Sequence, residues 1–413
     1  MATNSKQKNI NSDILVSGGG IAGLTFAMLM ANLGLSVHVV DPASPEKLDN
    51  ATPSGRTVAL MNNALNIIRA AGLDTPEALG NPLEAMRIID KSIVGKPLQQ
   101  SDFEAFDIGL DHYGYNIPNL DLHRALFKTA QNTKNLTLQC PDKLKTYHFD
   151  GAHIQAELES GTPITSQLII GADGRRSLVR ELAGIGTIEK PYGQSAMTFI
   201  LNHSKSHQNI ATEFHFPAGP LALVPLKGNQ SSVVWVEKTE RADDLIRIKK
   251  QELEQILADK TDNLLGGATL DTALESWPLC MIKAKSLTAP ATALIAEAAH
   301  VLSPITAQGL NLSLRDVAAL AEILADGARA GLSLNDSTLL RKYERRRALD
   351  MQTRTAGVNG MMRLVSNNLM PVKTARRAGF RLMDTVLPLK QFAMRHGLAP
   401  TIDQGRLAQG GKL

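Results

Sequence analysis

The pattern of apolar and polar positions divides the chain into stretches of different period. Asp13–Ser17 is a short β-branched and aliphatic run and predicts a buried strand. Leu24–Leu33 sets Leu, Phe, Met and Ala at helical spacing and stops at Gly34, a natural C-cap. Ser36–Val40 predicts a second strand ending in Asp41, and residues 42–55, rich in Pro, Ser and Asp, predict a loop. Short strands broken by Gly and Pro are expected over 80–118, a helix over Leu120–Gln131 and a strand over Leu136–Gln139. Thr146–Phe149 and Ile154–Leu158 flank Asp150-Gly151, a strong hairpin signal. Ser166–Gly171 predicts another buried strand.

From about 190 to 285 the period changes. Alternation in Ala196–Leu201, Leu221–Leu226 and Ser232–Glu237 predicts an antiparallel sheet with one face covered. Ala293–Ala296 follows as a short strand and Leu310–Ala325 as a long helix; 338–395 is expected to be mainly helical. No internal repeat and no low-complexity segment interrupts the chain.

Composition narrows the class. A chain of 413 residues suggests two or three domains, and 43% hydrophobic with 20% charged residues is globular rather than disordered. A net charge of +4 is too weak to argue for a nucleic-acid partner. Cys140 and Cys280 lie far apart and in no CxxC pair, so neither a metal site nor a disulfide framework is expected, and both read as buried, reduced thiols of a cytoplasmic protein. Met1–Asp13 has no apolar core of a signal peptide. Ile14–Ala31 is apolar, but four glycines and a strand-then-helix pattern argue against a membrane span.

Three segments carry chemistry. The first is Gly18-Gly19-Gly20-Ile21-Ala22-Gly23, a GxGxxG placed after a predicted strand and before a predicted helix. Gly18 permits the tight turn, Gly20 lets backbone approach a pyrophosphate, and Gly23 lets helix lie close to sheet. The helix start offers free N–H groups and partial positive charge to phosphates. Asp41, roughly 20 residues on, stands where an acid binds ribose hydroxyls. Only one such unit exists, so a nicotinamide cofactor would have no domain of its own. The second segment is Gly171-Ala172-Asp173-Gly174-Arg175-Arg176-Ser177, followed by Arg180. The third is Ile295-Ala296-Glu297-Ala298-Ala299-His300, then Ser303-Pro304-Ile305 and Gln308-Gly309-Leu310-Asn311-Leu312: a strand, a proline-kinked loop and a glycine turn opening a helix.

Together these segments resemble the FAD-dependent aromatic hydroxylases of the p-hydroxybenzoate hydroxylase type. Gly219-Pro220-Leu221-Ala222-Leu223-Val224-Pro225-Leu226, Gln308–Asp316, and Tyr343-Glu344-Arg345-Arg346-Arg347 with Asp350 narrow the likeness to the ubiquinone-biosynthesis hydroxylases, over about residues 13–370. The resemblance implies an α/β fold: a Rossmann-like FAD-binding domain (1–80, 112–185 and 286–345), an antiparallel β-sheet substrate domain (81–111 and 186–285) and a C-terminal helical region (346–413). It implies FAD held by Gly18, Gly20, Ile21, Ala22, Gly23, Asp41, Arg56, Arg124, Asp173, Glu297, Pro304, Gly309, Leu310 and Asn311. It also implies NAD(P)H as electron donor and O2 as co-substrate, with a flavin C4a-hydroperoxide passing oxygen to an electron-rich ring. The reduced flavin is anionic, and N–H groups around Gly309, Leu310 and Asn311 are the catalytic candidates that would stabilise it.

The chain departs from that family where the usual Gly-Asp is Ala296-Glu297. His300 reads as structural rather than as a base, and Trp235 and Trp277 as packing. Leu221, Leu223 and Pro225, at strand spacing, are the expected pocket wall for a polyprenylated phenol. The basic, apolar tail Met361–Leu398 suggests peripheral contact with the inner face of a membrane, or with a ubiquinone-synthesis complex. Hydroxylation of another aromatic, prenyl-lipid reduction and a non-catalytic scaffold are the alternatives.

Overall fold

The computed structural model describes residues 9–91, 99–301, 309–348, 350, 379, 385–398 and 405–413. Ile10–Ser17 is an inner strand because its second half is apolar on both faces: Ile14, Leu15 and Val16 are fully buried. It pairs in parallel with Val37–Val40 on one side and Pro163–Gly171 on the other, with Ile14 opposite Val37 and Leu168. Leu136–Gln139 and Thr292–Leu294 extend this parallel sheet outward. The hairpin Leu144–Phe149/Ile154–Leu158, turning at Asp150-Gly151 as expected, adds to Pro163–Gly171 in antiparallel sense.

The helix Ile21–Asn32 is buried from Ala22 to Ala31, apolar all round because every side has a neighbour. It contacts helices Asn62–Ala71, Asn119–Gln131 and Gly309–Arg329. The apolar alternation beyond 190 builds a second, larger sheet from His300–Val301, Glu275–Ala284, Thr187–His203, Gln230–Lys238, Pro220–Leu226, Ile210–His215, Ala85–Asp90 and Gln99–Glu104. All its pairings are antiparallel except one: Ile210–His215 runs parallel to Ala85–Asp90. One face is covered by Thr239–Arg247 and Lys250–Lys260, two helices that strand alternation did not reveal. Their Ala242, Leu245, Leu253 and Leu257 pack on Met197, Phe199, Leu221, Val233 and Trp235. A small sheet of Thr57–Met61, Gly114–Pro118 and Asn81–Leu83 stands between the two large ones.

The C-terminal helical region divides into separately packed pieces. The helix over 337–348 buries Leu339, Leu340 and Tyr343 in the core of the parallel-sheet domain. Gly405–Ala408 joins the same core: Leu407 is fully buried, its N–H donates to Glu322 Oε1 at 2.8 Å, and Asn66 Nδ2 donates to the Ala408 carbonyl at 3.0 Å. Leu387–Leu398 instead packs on the turn Ala105–Ile108, where Lys390 pairs with Asp107 at 2.7 Å. Most of the tail read as basic and apolar, 361–378 and 380–384, lies outside the described residues. No helix among the described residues is long and apolar enough to cross a membrane. Cys140 and Cys280 carry no disulfide and are half-buried rather than buried: Cys140 directly follows the strand Leu136–Gln139, and Cys280 lies mid-strand opposite Pro191, where the register shifts.

Candidate functional site

The glycine turn is built by steric necessity. Gly18 has φ +110°, and a Cβ there would overlap the Ala172 carbonyl, so the first segment packs directly on the second. A Cβ on Gly23 would overlap the Gly18 carbonyl, which is the close helix–strand approach the motif predicts. Gly20 has open space beside it and caps Ile21–Asn32 with no side-chain bond, leaving first-turn N–H groups pointing at a cleft. Asp41 Oδ2 accepts from Gly19 N–H at 2.7 Å and Oδ1 from Ala43 N–H at 2.8 Å, so the carboxylate braces the turn. His123, which sequence reasoning passed over, donates from Nε2 to the Gly19 carbonyl at 2.8 Å. Its only signal was adjacency to Arg124 in one helix.

Asp173 accepts from Val179 N–H at 3.1 Å through Oδ2, while Oδ1 is buried without a partner. Burial pushes its carboxyl above the ordinary range, against the opposing hydrogen bonds from Ser177 and Val179. Arg180 donates to the carbonyls of Ala298 and Arg175, both at 2.8 Å, and so ties the second segment to the third.

In the third segment Ala296 has φ +56°, in the left-handed region. The glycine usual at this position in the resembling family thus has a conformational reason, and the alanine here is strained. Glu297 is exposed and Ala296 buried, both lining the cleft. The strained turn is held by Asp316, wholly buried, whose Oδ2 accepts from Ala296 N–H at 3.0 Å and from His300 Nε2 at 2.6 Å. Its Oδ1 accepts from Arg347 Nε at 2.7 Å, and Arg347 also pairs with Asp350. Burial would raise the Asp316 carboxyl, but the charges and hydrogen bonds of His300 and Arg347 outweigh it and hold the group below its ordinary value. His300 therefore has the supporting role expected of it. The Tyr343–Arg347 motif also has a physical purpose: Tyr343 donates to the Leu294 carbonyl at 2.8 Å, and Glu344 accepts from Ser286, Leu287 and Thr288.

Gly309 opens the helix Gly309–Arg329 with open space at its Cβ position. Asn311 anchors that helix end: Nδ2 donates to the Ala59 carbonyl at 2.8 Å, and Oδ1 accepts from Met61 N–H at 3.0 Å. Pro304 lies outside the described residues. Gly20, Ile21, Ala22, Gly23, Glu297, Gly309 and Leu310 all line one cleft of about 520 Å³, together with Thr57–Ala59.

The two arginines expected at the cofactor both make contacts within the protein. Arg124 donates to the carbonyls of Leu48, Asp49 and Ala51 at 2.7–3.1 Å, capping the short helix Pro45–Asp49. Arg56 precedes the strand Thr57–Met61, and its guanidinium stacks over Trp277 at 4.1 Å. The strand expected to supply the pocket wall turns its other face to the cleft. Leu221 and Leu223 belong to the core beneath the two helices, and Pro225 shares their parity. Val224, with Val234 from the next strand, faces the cleft.

These residues fit FAD. The cleft begins at an uncapped helix start suited to a pyrophosphate and ends at a second helix start, at Gly309. Beside the cleft-lining Ala172 and Gly174, Asp173 Oδ1 is a buried acceptor without a donor, and the cofactor's ribityl and ribose chains are rich in hydroxyl donors. One dinucleotide turn opening into a cleft roofed by a mostly antiparallel sheet defines an FAD-dependent aromatic-ring monooxygenase. The model of the FAD binding domain family matches residues 11–356. The chain belongs to that family.

The ubiquinone hydroxylase UbiL of Rhodospirillum rubrum is 34% identical over 388 residues, covering 94% of this chain and 89% of the relative. The 3-demethoxyubiquinol 3-hydroxylase of Escherichia coli is 28% identical, covering 94% and 99%. The crystal structure of p-nitrophenol 4-monooxygenase PnpA from Pseudomonas putida superimposes with a TM-score of 0.78 at 19% identity, over 95% of this chain and 99% of that one, a likeness of fold.

Proposed function

We propose that this monooxygenase hydroxylates the ring of a polyprenylated phenol on the route to ubiquinone, with NAD(P)H as electron donor, at the surface of a membrane. The carrying observation is the cleft itself, in which nucleotide-binding turns meet an apolar roof of Val224 and Val234. The names of the relatives supply the substrate class. When bound, the flavin supplies the redox and oxygen chemistry; the protein supplies position and field.

In this reading the start of helix Ile21–Asn32 holds phosphate charge, and Asp41 and Asp173 accept from sugar hydroxyls. The start of helix Gly309–Arg329 faces the ring end, where its N–H groups stabilise negative charge. Asn311 fixes that helix start against the strand Thr57–Met61, so the donors need no reorganisation when charge develops. Val224 and Val234 exclude water and receive the apolar ring. The exposed apolar side chains Leu387, Leu389 and Phe392, with Phe106 beside them, offer a lipid-facing patch.

The test is NAD(P)H consumption by the FAD-loaded protein with short-chain prenylated phenols, followed by mass analysis of the ring. A product one oxygen atom heavier supports the reading. Consumption that yields only hydrogen peroxide with every phenol overturns it.

A further inference from the structure

Asn116 is a polar side chain only 1% exposed, on the strand Gly114–Pro118, and it lines the cleft. Both amide hydrogens are committed. Nδ2 donates to the Pro225 carbonyl at 3.0 Å and to Ser232 Oγ at 3.2 Å, and Ser232 Oγ in turn bonds Thr57 Oγ1 at 2.8 Å. Flipping the amide would set Oδ1 against the Pro225 carbonyl oxygen, so the orientation is fixed. Oδ1 is then a buried acceptor with no partner. An unmet buried acceptor costs about 1–3 kcal/mol, and here it sits beside Val224 and Val234, where the ring is received.

We propose that Asn116 Oδ1 accepts a hydrogen bond from the hydroxyl of the aromatic substrate. It is a specificity-determining contact that favours phenols over rings lacking that hydroxyl; the proposal rests on the hydroxylase reading above. A hydroxyl of FAD is the other donor of this chemistry. The position favours the substrate: the anchors of Asn116 are Pro225 and Ser232 of the roofing sheet, whereas the acceptors offered to the dinucleotide, Asp41 and Asp173, follow strands of the parallel sheet. A site built to bond a hydroxyl discriminates strongly against its absence, because the acceptor is left unpaired again.

The experiment uses FAD-loaded wild type, Asn116→Val and Asn116→Thr. Threonine retains a hydroxyl donor for the Pro225 carbonyl should valine prevent folding. Each is titrated with ortho-prenylphenol and with prenylbenzene, read by perturbation of the flavin absorption, and the apoproteins are titrated with FAD. Wild type is expected to prefer the phenol by about tenfold, the size of one hydrogen bond. The variants are expected to lose that preference while FAD affinity stays unchanged. A preference that survives in the folded variants, or a loss of FAD affinity with the preference intact, overturns the proposal. So does a wild type that binds both rings alike, even where turnover supports hydroxylation. Discrimination by Asn116 without any hydroxylated product supports the contact and overturns the hydroxylase reading instead.

Discussion

At the scale of single residues, the site is governed by groups whose alternatives are sterically or electrostatically closed. Ala296 holds φ +56° without glycine's freedom. Ala296→Gly is expected to raise unfolding stability by about 1 kcal/mol, read as a higher denaturant midpoint with unchanged slope. Asp316 is the opposite case. Asp316→Ala leaves His300 and Arg347 without their shared carboxylate, and breaking a buried pair of this kind costs about 3–5 kcal/mol. Because the folded state holds the Asp316 carboxyl below its ordinary value of 3.8, its contribution is fully present above that pH. It is lost as pH falls through the lower, folded value. Wild-type stability should therefore fall more steeply than that of Asp316→Ala on the acid side of pH 3.8, measured by urea unfolding at stepped pH. Residue chemistry was partly legible in the sequence. The glycines announce themselves because only glycine fits their backbone, and His300 because of its motif. Asp316 did not, since its partners lie 16 to 31 residues away and meet only through the fold. Arg56 and Arg124 were legible as long cations, but a sequence does not say which carbonyl or ring each will find.

At the scale of elements, the parity of one strand decides which side chains meet a ligand. Pro220–Leu226 was legible as a strand facing the pocket, yet apolar residues occupy both its faces, so alternation alone could not say which set was inside. The missing information was Thr239–Lys260, whose two helices claim the Leu221 and Leu223 face. Leu221→Ala should destabilise the protein by about 2–5 kcal/mol and leave KM for the aromatic ring nearly unchanged. Val224→Trp should leave stability within about 1–3 kcal/mol and raise that KM sharply, as steady-state kinetics would show. The reverse pattern would restore the leucine face as the wall. Helix Gly309–Arg329 carries a second prediction. Gly309→Val places two methyls in the open space at the cleft, and flavin binding or reduction should fail; full turnover with normal absorption would count against any role for this helix start.

At the scale of the whole molecule, the two-sheet architecture was legible because the period changes near residue 190 and because one glycine unit implies one dinucleotide domain. Its closure was not. Leu407 and Ala408 reach back into the parallel-sheet core beside Ala64 and Leu320, a contact that no local pattern encodes. Removing residues 405–413 should lower the melting temperature by several degrees, since burying one leucine contributes about 1.5–3 kcal/mol.

The register that sets Ile14 between Val37 and Leu168 also constrains how the chain is made. The first strand finds one neighbour within some twenty residues, but its other edge must wait until Leu168 has been synthesised. At about 5–20 residues per second, that edge stands open on the ribosome for roughly six to twenty-six seconds. During that interval it is an apolar, unpaired strand of the kind that templates aggregation. Yield in a heterologous host should therefore depend on elongation rate and chaperone supply across residues 40–170 more than on the stability of the finished enzyme.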